Sequence, residues 1–166
     1  MDSLAPMRIC FVCGEYPPAR HGGIGIATQV LARELSHRGH KVRVIGVREE
    51  EDGSPDCQSD GGVEIERLPR VHSPKVGWIQ GRYRLFRRVS RWARRGEIDL
   101  VEVPDYEGWT AGWGRLPVPV VSRLHGSASY YAREMGRPVD KWLFQLERMA
   151  LRSASYVCST SRYTAE

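Results

Sequence analysis

The chain has 166 residues, 41% of them hydrophobic and 27% charged, and its formal net charge is +5. This length corresponds to about one domain, and the hydrophobic content is sufficient for a folded core. No run of about 18 apolar residues occurs, so the sequence predicts no transmembrane helix. The first residues lack a basic segment followed by an apolar stretch, so no signal peptide is predicted and a cytoplasmic location is expected.

The first elements form a predicted β-α-β unit. An apolar strand at 8–13 is followed by a loop, a helix at 24–38 and a second apolar strand at 41–47. Gly22 and Gly23 end the loop at the start of the helix, where free backbone N–H groups and the helix dipole favour an anion. Glycines lack the Cβ atoms that would keep a ligand away from the backbone. The pair therefore predicts a phosphate site, although a turn that only reverses the chain would also use two glycines.

This loop differs from the fingerprint of dinucleotide-binding enzymes. That motif reads G-x-G-x-x-G and places its first glycine immediately after the strand. Here eight residues separate Gly14 from Gly23, and two prolines stiffen the segment between them. A nicotinamide-dependent dehydrogenase is therefore a poor fit. His21, beside the glycine pair, is an ambiguous further candidate for ligand contact.

Two of the four cysteines have a C-x-x-C spacing, but within a predicted strand. Side chains three residues apart on a strand point to opposite faces of the sheet, so Cys10 and Cys13 cannot bind one metal ion. Cys57 and Cys158 have no second pair of ligands nearby in the sequence. We therefore expect no metal site, and we expect the cysteines to be buried or free thiols.

The middle of the chain changes character from acidic to basic. The acidic, glycine-rich segment at 48–62 predicts an exposed loop, and a strand is expected at 63–68. The segment that begins at Arg82 and ends at Arg95 then contains seven arginines, with apolar residues at three- and four-residue intervals. This spacing predicts an amphipathic helix with a basic outer face.

Two interpretations of this arginine-rich helix are compatible with the sequence. In the first, it is a crossover helix packed on the sheet, and its arginines face solvent. In the second, the arginines attract an anionic partner, such as a lipid surface at the inner face of the membrane or a negatively charged substrate. No recognised nucleic-acid-binding motif accompanies the patch, so nucleic acid is not an expected partner.

The second half of the chain continues to alternate short apolar strands with helical segments. An alternation of this kind predicts an α/β fold with a Rossmann-like, doubly wound, mostly parallel sheet and helices on both faces. In such sheets the ligand binds outside the carboxyl ends of the strands. Strands are predicted at 100–103, 118–124 and 156–159, and helical segments at 107–113, 127–135 and 139–152.

Several polar side chains are placed at the ends of these predicted strands. His125 ends one strand and precedes a glycine, and its imidazole can exchange hydrogen bonds with a sugar hydroxyl or a phosphate near neutral pH. Asp105 and Tyr106 follow another strand, where they fit a sugar site, but Asp105 fits a helix cap equally well. On the last predicted helix, Glu147 is expected to form an exposed ion pair with Arg148 or, alternatively, to face the crevice.

The order of these motifs resembles that of the N-terminal domain of GT-B glycosyltransferases of the family 4 type. The first loop contains E-Y-P-P followed by G-G, and the first helix ends with R-G-H-x-V. Further matches are D-Y-E-G after the fourth strand, L-H-G after the fifth and S-T-S after the last. The likeness extends over nearly the whole chain, and its order and spacing are more specific than any single motif.

The resemblance implies a retaining, metal-independent transfer of a sugar from a nucleotide-sugar, with no cofactor beyond this co-substrate. It implies that Gly22 and Gly23 let backbone amides approach the diphosphate and the transferred sugar of the donor. It also implies that His125 is the catalytic residue that contacts this sugar near the reacting centre.

The resemblance further implies that residues 1–166 are one Rossmann-like domain, the acceptor-side half of such an enzyme. The C-terminal domain that holds most of the donor would lie beyond the end of this sequence, so we expect the chain alone to be inactive or nearly so. Tyr16, Asp105 and Tyr106 are then the expected contacts to a sugar or lipid-linked acceptor. The alternative is a non-catalytic module that binds a sugar or an anion and docks to a membrane or a protein through the basic helix.

Overall fold

A computed structural model describes residues 5–19, 22–48, 55–73 and 77–162 of the chain. Within these residues, strands alternate with helices as predicted. The strands are β1 (Arg8–Val12), β2 (Lys41–Arg48), β3 (Cys57–Asp60), β4 (Val63–Pro69), β5 (Leu100–Pro104), β6 (Val120–Leu124) and β7 (Tyr156–Ser159). The helices are α1 (Gly23–His37), α2 (Gly77–Arg94), α3 (Ala128–Glu134) and α4 (Lys141–Ser153).

These strands form one sheet in the order β3-β4-β2-β1-β5-β6-β7. Neighbouring strands are parallel except for β3, which pairs antiparallel with β4 at one edge. The chain winds outward from β1 through β2 to β4, and then returns to the other side of β1 for β5, β6 and β7. The direction of winding therefore reverses between β1 and β5, and the predicted doubly wound, mostly parallel sheet is confirmed.

Each face of the sheet carries its own apolar core. Cys10 packs with Leu85 of α2 in one cluster, whereas Cys13 packs with Ala32 of α1 in the other. The two helices therefore cover opposite faces, and the two thiols point in opposite directions, as predicted. Burial raises the pKa of Cys10 to about 12 and that of Cys13 to about 11.

The exit from β1 is fixed by a close approach of β2. A Cβ atom at Gly46 would overlap the carbonyl oxygen of Cys13, so only glycine fits at this position. The backbone N–H of Cys13 also donates to the carbonyl oxygen of Ile45, at 2.8 Å. These contacts set the point from which the first loop leaves the sheet.

The prediction of a loop at 48–62 is wrong at Cys57–Asp60, where β3 forms. The residues of β3 have no apolar alternation, and the strand is held by its pairing with β4 and by Asp60. The carboxylate of Asp60 accepts hydrogen bonds from Arg33 of α1, at 2.6 Å, and from the hydroxyl of Tyr16 in the first loop, at 2.9 Å. Residues 49–54 of the same prediction lie outside the described residues.

The helix predicted at 107–113 is also wrong. Only one 3₁₀ turn, Tyr106–Gly108, forms after β5. The φ angles of Glu107, Gly108 and Gly112 are +61°, +56° and +76°. These left-handed conformations interrupt a right-handed helix, so the segment folds as successive turns.

Helix α2 has the amphipathic character predicted for the arginine-rich segment. Leu85 and Val89 face the core, whereas Arg84, Arg91 and their neighbours along the outer face are exposed. Among the helices of the described residues, none is both long and apolar enough to cross a bilayer.

Candidate active site

Two loops enclose a cleft at the point where the winding of the sheet reverses. The loop after β1 contributes Gly14, Glu15 and Gly22, and the segment after β5 contributes Tyr106 and Trp109. The cleft has a volume of about 320 Å³. It lies outside the carboxyl ends of β1 and β5, where ligands bind in sheets of this topology.

Helix α1 starts at the rim of this cleft without a side-chain cap. Its N-cap residue, Gly22, offers no side chain to cap it, whereas Ser127 and Asp140 cap α3 and α4 with side-chain oxygens. Gly22 and Gly23 are exposed, and the described residues leave the space around a Cβ at Gly23 empty to 4 Å. The start of α1 therefore has the geometry and the dipole orientation that suit an anion.

One carboxylate of the chain already contacts this helix terminus. The backbone N–H of Gly22 donates to Oε2 of Glu15, at 3.0 Å, so the loop folds back onto the start of α1. A Cβ at Gly22 would lie 3.1 Å from the same oxygen, so a larger residue there would require the Glu15 side chain to shift. A diphosphate bound at this terminus would share it with Glu15 or displace that carboxylate.

Tyr16 belongs to the first loop, and it packs in the core beneath the rest of that loop. Its side chain is buried, and its hydroxyl donates to Asp60 of β3. Burial raises the pKa of the Tyr16 hydroxyl, and the adjacent carboxylate of Asp60 raises it further. Its backbone carbonyl accepts from Arg67, at 2.9 Å. Tyr16 thus anchors the first loop to the edge of the sheet.

Asp105 joins the carboxyl ends of β5 and β6. Its side chain is only 4% exposed, and Oδ1 accepts from the backbone N–H of His125, at 2.9 Å. Burial raises the pKa of this carboxyl, and hydrogen bonds from the backbone of His125 and Gly126 oppose that shift. The interpretation of Asp105 as a helix cap is wrong, because its side chain makes no capping bond to the turn that follows.

The backbone around His125 is held from both sides. Asp105 binds its N–H, and the hydroxyl of Tyr131 donates to its carbonyl oxygen, at 3.0 Å. The next residue, Gly126, has a φ of +104°, and a Cβ there would meet the ring of Tyr131 at 2.9 Å. The L-H-G motif is therefore a turn that only glycine can complete, and it fixes the half-buried His125 at the end of β6.

The surroundings of His125 favour the neutral form of its imidazole. Burial lowers its pKa from the ordinary value of 6.5, the carboxylate of Asp105 opposes this shift, and Arg123 adds to it. A weaker opposing effect comes from Glu15, the partner of the Gly22 amide.

Glu147 of α4 binds three backbone amides from two loops. It is only 2% exposed, so the expected exposed ion pair is wrong and the inward-facing alternative is confirmed. Oε1 accepts from the N–H groups of Glu107, at 3.2 Å, and Ala128, at 2.8 Å. Oε2 accepts from Ser129, at 3.2 Å. The carboxylate thereby connects the turn after β5 to the start of α3.

Glu107 has a strained backbone at the rim of the cleft. Its left-handed φ is uncommon for a residue with a side chain. Glu147 holds its N–H, and Nη2 of Arg82 donates to its carbonyl oxygen, at 2.6 Å. A conformation fixed in this way from both sides is typical of functional sites.

The residues predicted for the site fall into two groups. One group lines the cleft or stands at the same edge of the sheet, and the other is buried beneath it with its polar atoms bonded inside the chain. The first consists of Gly22, Gly23, Tyr106 and His125, and the second of Tyr16 and Asp105. His21 lies outside the described residues.

Comparison with known proteins identifies relatives over most of the chain. The profile described as Glycosyltransferase Family 4 matches residues 21–166. An uncharacterised glycosyltransferase of Methanocaldococcus jannaschii is 27% identical over 134 residues, which are 79% of this chain and 32% of that protein.

Among solved structures, a sucrose-phosphate synthase from Thermosynechococcus elongatus superposes with a TM-score of 0.68 at 16% identity. The match covers 90% of this chain and 41% of that one. A second structure of sucrose-phosphate synthase from the same organism gives a TM-score of 0.59, also at 16% identity. At this identity the likeness establishes the fold. The chain spans about a third of the curated relative and 41% of the first synthase structure.

Proposed function

Because the chain belongs to glycosyltransferase family 4, we propose that it is the acceptor-side half of an enzyme that transfers a sugar from a nucleotide-sugar to an acceptor. One observation carries this proposal: the open start of α1 and the His125 turn stand at the same edge of the sheet, around the reversal of winding. A donor diphosphate at α1 would place its sugar toward β5 and β6, where an acceptor hydroxyl can approach.

The proposed mechanism is electrostatic and proceeds with retention at the sugar carbon. The bond between the sugar and the diphosphate lengthens, so negative charge grows on the leaving diphosphate and positive charge on the sugar ring. Backbone amides at Gly22 and Gly23 stabilise the former, since they are fixed before the reaction begins. The neutral imidazole of His125 forms a hydrogen bond with a hydroxyl of the transferred sugar. These groups act without a metal ion or a further cofactor.

The other predicted site residues divide between contact and support. Tyr106 is half-buried and lines the cleft, so it is the proposed acceptor contact. Tyr16 and Asp105 are support for the two loops, because their oxygens are already bonded to Asp60 and to the His125 backbone.

We expect the isolated chain to show no transfer above background, since it corresponds to the acceptor-side part of its relatives. The assay incubates it with a panel of radiolabelled nucleotide-sugars and with sugar and lipid-linked acceptors. The same panel is then offered to a polypeptide that joins this chain to a donor-binding domain, where transfer is expected. Robust turnover by the chain alone would contradict the assignment of acceptor and donor to two separate domains. No turnover by the joined polypeptide would contradict the proposed function.

We further propose that the outer face of α2 contacts an anionic membrane surface on the cytoplasmic side. Arg84, Arg87 and Arg91 are exposed along this face, whereas Arg88 pairs with Glu66 at 2.7 Å. Near a charged bilayer, each exposed arginine contributes about 1 kcal/mol.

The vesicle experiment follows from this difference between the arginines. Replacing Arg84, Arg87 and Arg91 with glutamine is expected to abolish co-sedimentation with phosphatidylserine vesicles, because about 3 kcal/mol of attraction is lost. Arg88→Gln is the matched control, and it is expected to retain most of the binding. Absence of binding by the wild-type chain, or equal binding by the triple variant, would contradict the proposal. The outer face of α2 would then contact only solvent.

A further inference from the structure

A hairpin at one edge of the sheet, formed by β3 and β4, holds the first loop by its backbone. Arg67 of β4 donates from Nη2 to the carbonyl oxygens of Tyr16, at 2.9 Å, and Pro17, at 3.3 Å. Gln58 of β3 also donates to the carbonyl oxygen of Pro17, at 3.4 Å. The middle of the loop is therefore bound to both strands of the hairpin.

One carboxylate of this hairpin connects the loop to helix α1. Oδ2 of Asp60 accepts from the hydroxyl of Tyr16, at 2.9 Å, and from Nε2 of Gln29, at 3.0 Å. Arg33 donates from Nε to Oδ2, at 3.0 Å, and from Nη2 to Oδ1, at 2.6 Å. Gln29 and Arg33 are neighbours on one face of α1, because they are four residues apart. Asp60 therefore fixes the loop against the helix whose start borders the cleft.

The contacts of Asp60 require an ionised acid. The hydrogen bonds from Arg33 hold the pKa of this carboxyl below its ordinary value of 3.8, burial opposes the shift, and the bonds from Gln29 and Tyr16 add to it. An ionised carboxylate only accepts, and its two oxygens have room for about four hydrogen bonds. An amide at this position would turn an NH₂ group toward donors that need an acceptor.

The contacts of Asp60 reach the cleft through the residue that precedes Tyr16. Glu15 lines the cleft, and its carboxylate accepts from the N–H of Gly22 at the start of α1. Because Glu15 and Tyr16 are consecutive, the position of the Tyr16 ring limits where the Glu15 side chain can lie. Without Asp60, the loop would spend less time in the conformation in which Glu15 contacts Gly22.

We propose that Asp60 is a positioning residue for the donor site and that it acts through Tyr16 on the first loop. Asp60 is not one of the described residues that line the cleft. It sets the fraction of molecules whose loop can receive the donor diphosphate, and the apparent affinity for the donor falls in proportion to that fraction. This assignment rests on the proposed glycosyl transfer, because the donor belongs to that proposal.

The kinetic test uses the polypeptide that joins this chain to a donor-binding domain. Asp60→Asn, an isosteric change, is expected to raise KM for the nucleotide-sugar about tenfold, because the competent fraction of the loop falls about tenfold. The value of kcat should stay within about twofold of the wild type, since the bound donor orders the loop. Tyr16→Phe keeps the buried ring, removes only its hydroxyl and should also raise KM. A loss of folded protein would instead lower kcat and leave KM unchanged.

Glu66→Gln is the matched control within the same hairpin. Glu66 pairs with Arg88 of α2 at 2.7 Å, on the other face of the sheet, and this ion pair is similar in length and exposure to that of Asp60 with Arg33. It makes no hydrogen bond to the described part of the first loop, so KM should stay at the wild-type value. Equal KM values in Asp60→Asn and Glu66→Gln, or a fall in kcat alone in Asp60→Asn, would overturn the positioning role.

A second measurement separates this inference from the function on which it rests. Exchange of the Gly22 amide with solvent, followed by ¹H–¹⁵N NMR in the chain itself, reports how often the contact with Glu15 opens. We expect Asp60→Asn to speed this exchange about tenfold and Glu66→Gln to leave it unchanged. Equal exchange in the two variants would overturn the inference. Faster exchange in Asp60→Asn, with no transfer by the joined polypeptide, would keep the link from Asp60 to Gly22 and remove the proposed function.

Discussion

Replacing Glu147 with alanine is expected to lower the free energy of unfolding by about 3–5 kcal/mol. The substitution leaves without an acceptor the partly buried N–H groups of Glu107 and Ala128 and the buried N–H group of Ser129. Each buried amide that loses its partner costs about 1–3 kcal/mol, and water entering the space recovers part of this cost. Chemical denaturation followed by circular dichroism measures the change.

Two further variants show whether the amides are the cause. Glu147→Gln keeps an oxygen for two of the amides but turns an NH₂ group toward the third, so a loss of about 1–2 kcal/mol is expected. Arg148→Ala changes the exposed neighbour and should stay within about 0.5 kcal/mol of the wild type. A Glu147→Ala variant as stable as the Arg148→Ala control would contradict the role given to this carboxylate.

Replacing His125 with alanine is expected to reduce the rate of sugar transfer about 10²- to 10³-fold, the usual cost of removing one fixed hydrogen-bonding group that acts in the transition state. Fold stability should change little, because the backbone of this turn is held by Asp105 and Tyr131 rather than by the imidazole. His125→Gln offers a neutral hydrogen-bonding group of similar reach and should recover part of the rate. The measurement is kcat/KM in the polypeptide that joins this chain to a donor-binding domain.

The pH profile of this reaction has a predicted direction. Burial lowers the pKa of His125 from its ordinary value of 6.5, so the imidazole becomes protonated at a lower pH than an unperturbed histidine does. Transfer that uses the neutral form should therefore be constant from pH 8 to about pH 7 and decline at more acidic pH. His37→Ala, which removes an exposed histidine on α1, is the control for a general histidine effect. An unchanged rate in His125→Ala would remove the imidazole from the mechanism.

Local patterns in the sequence were sufficient to predict the doubly wound, mostly parallel sheet and the edge at which the candidate site lies. The apolar runs at β1, β2 and β5 and the helical spacing of α1 and α2 depend on burial alone, which the residue types report directly. His125 could be placed because a strand end followed by glycine implies a turn at the ligand-binding edge.

The features that the sequence did not reveal depend on contacts between distant parts of the chain. β3 consists of Cys-Gln-Ser-Asp and is held by its pairing with β4 and by the hydrogen bonds that Asp60 accepts from Arg33 and Tyr16. Glu147 follows a leucine on an amphipathic helix, a position that indicates solvent, and it is buried only because amides from two other segments meet there. No local signal announces such a convergence.

A cavity of about 820 Å³ that is lined by Trp78, Trp109 and Trp142 was missed for a related reason. Trp78, Trp109 and Trp142 are far apart in the sequence, and each occurs in a segment that makes sense without the others. The number of tryptophans was an available signal, because the chain contains five. Two of them, Trp109 and Trp113, come shortly after β5, near the ligand-binding edge. Only the packing of α2 and α4 beside β5 brings the rings into one space.

The central claim is that one donor site unites the start of α1, at the diphosphate, with the imidazole at the end of β6, at the transferred sugar. Titrating the ¹⁵N-labelled chain with the nucleotide-sugars of the transfer assay, which carry both the diphosphate and the sugar, tests it most directly. We predict that the backbone amide of Gly23 and the ring nitrogens of His125 shift together, with the same apparent Kd. A shift of Gly23 with no response from His125, or no response from either residue, would contradict the claim.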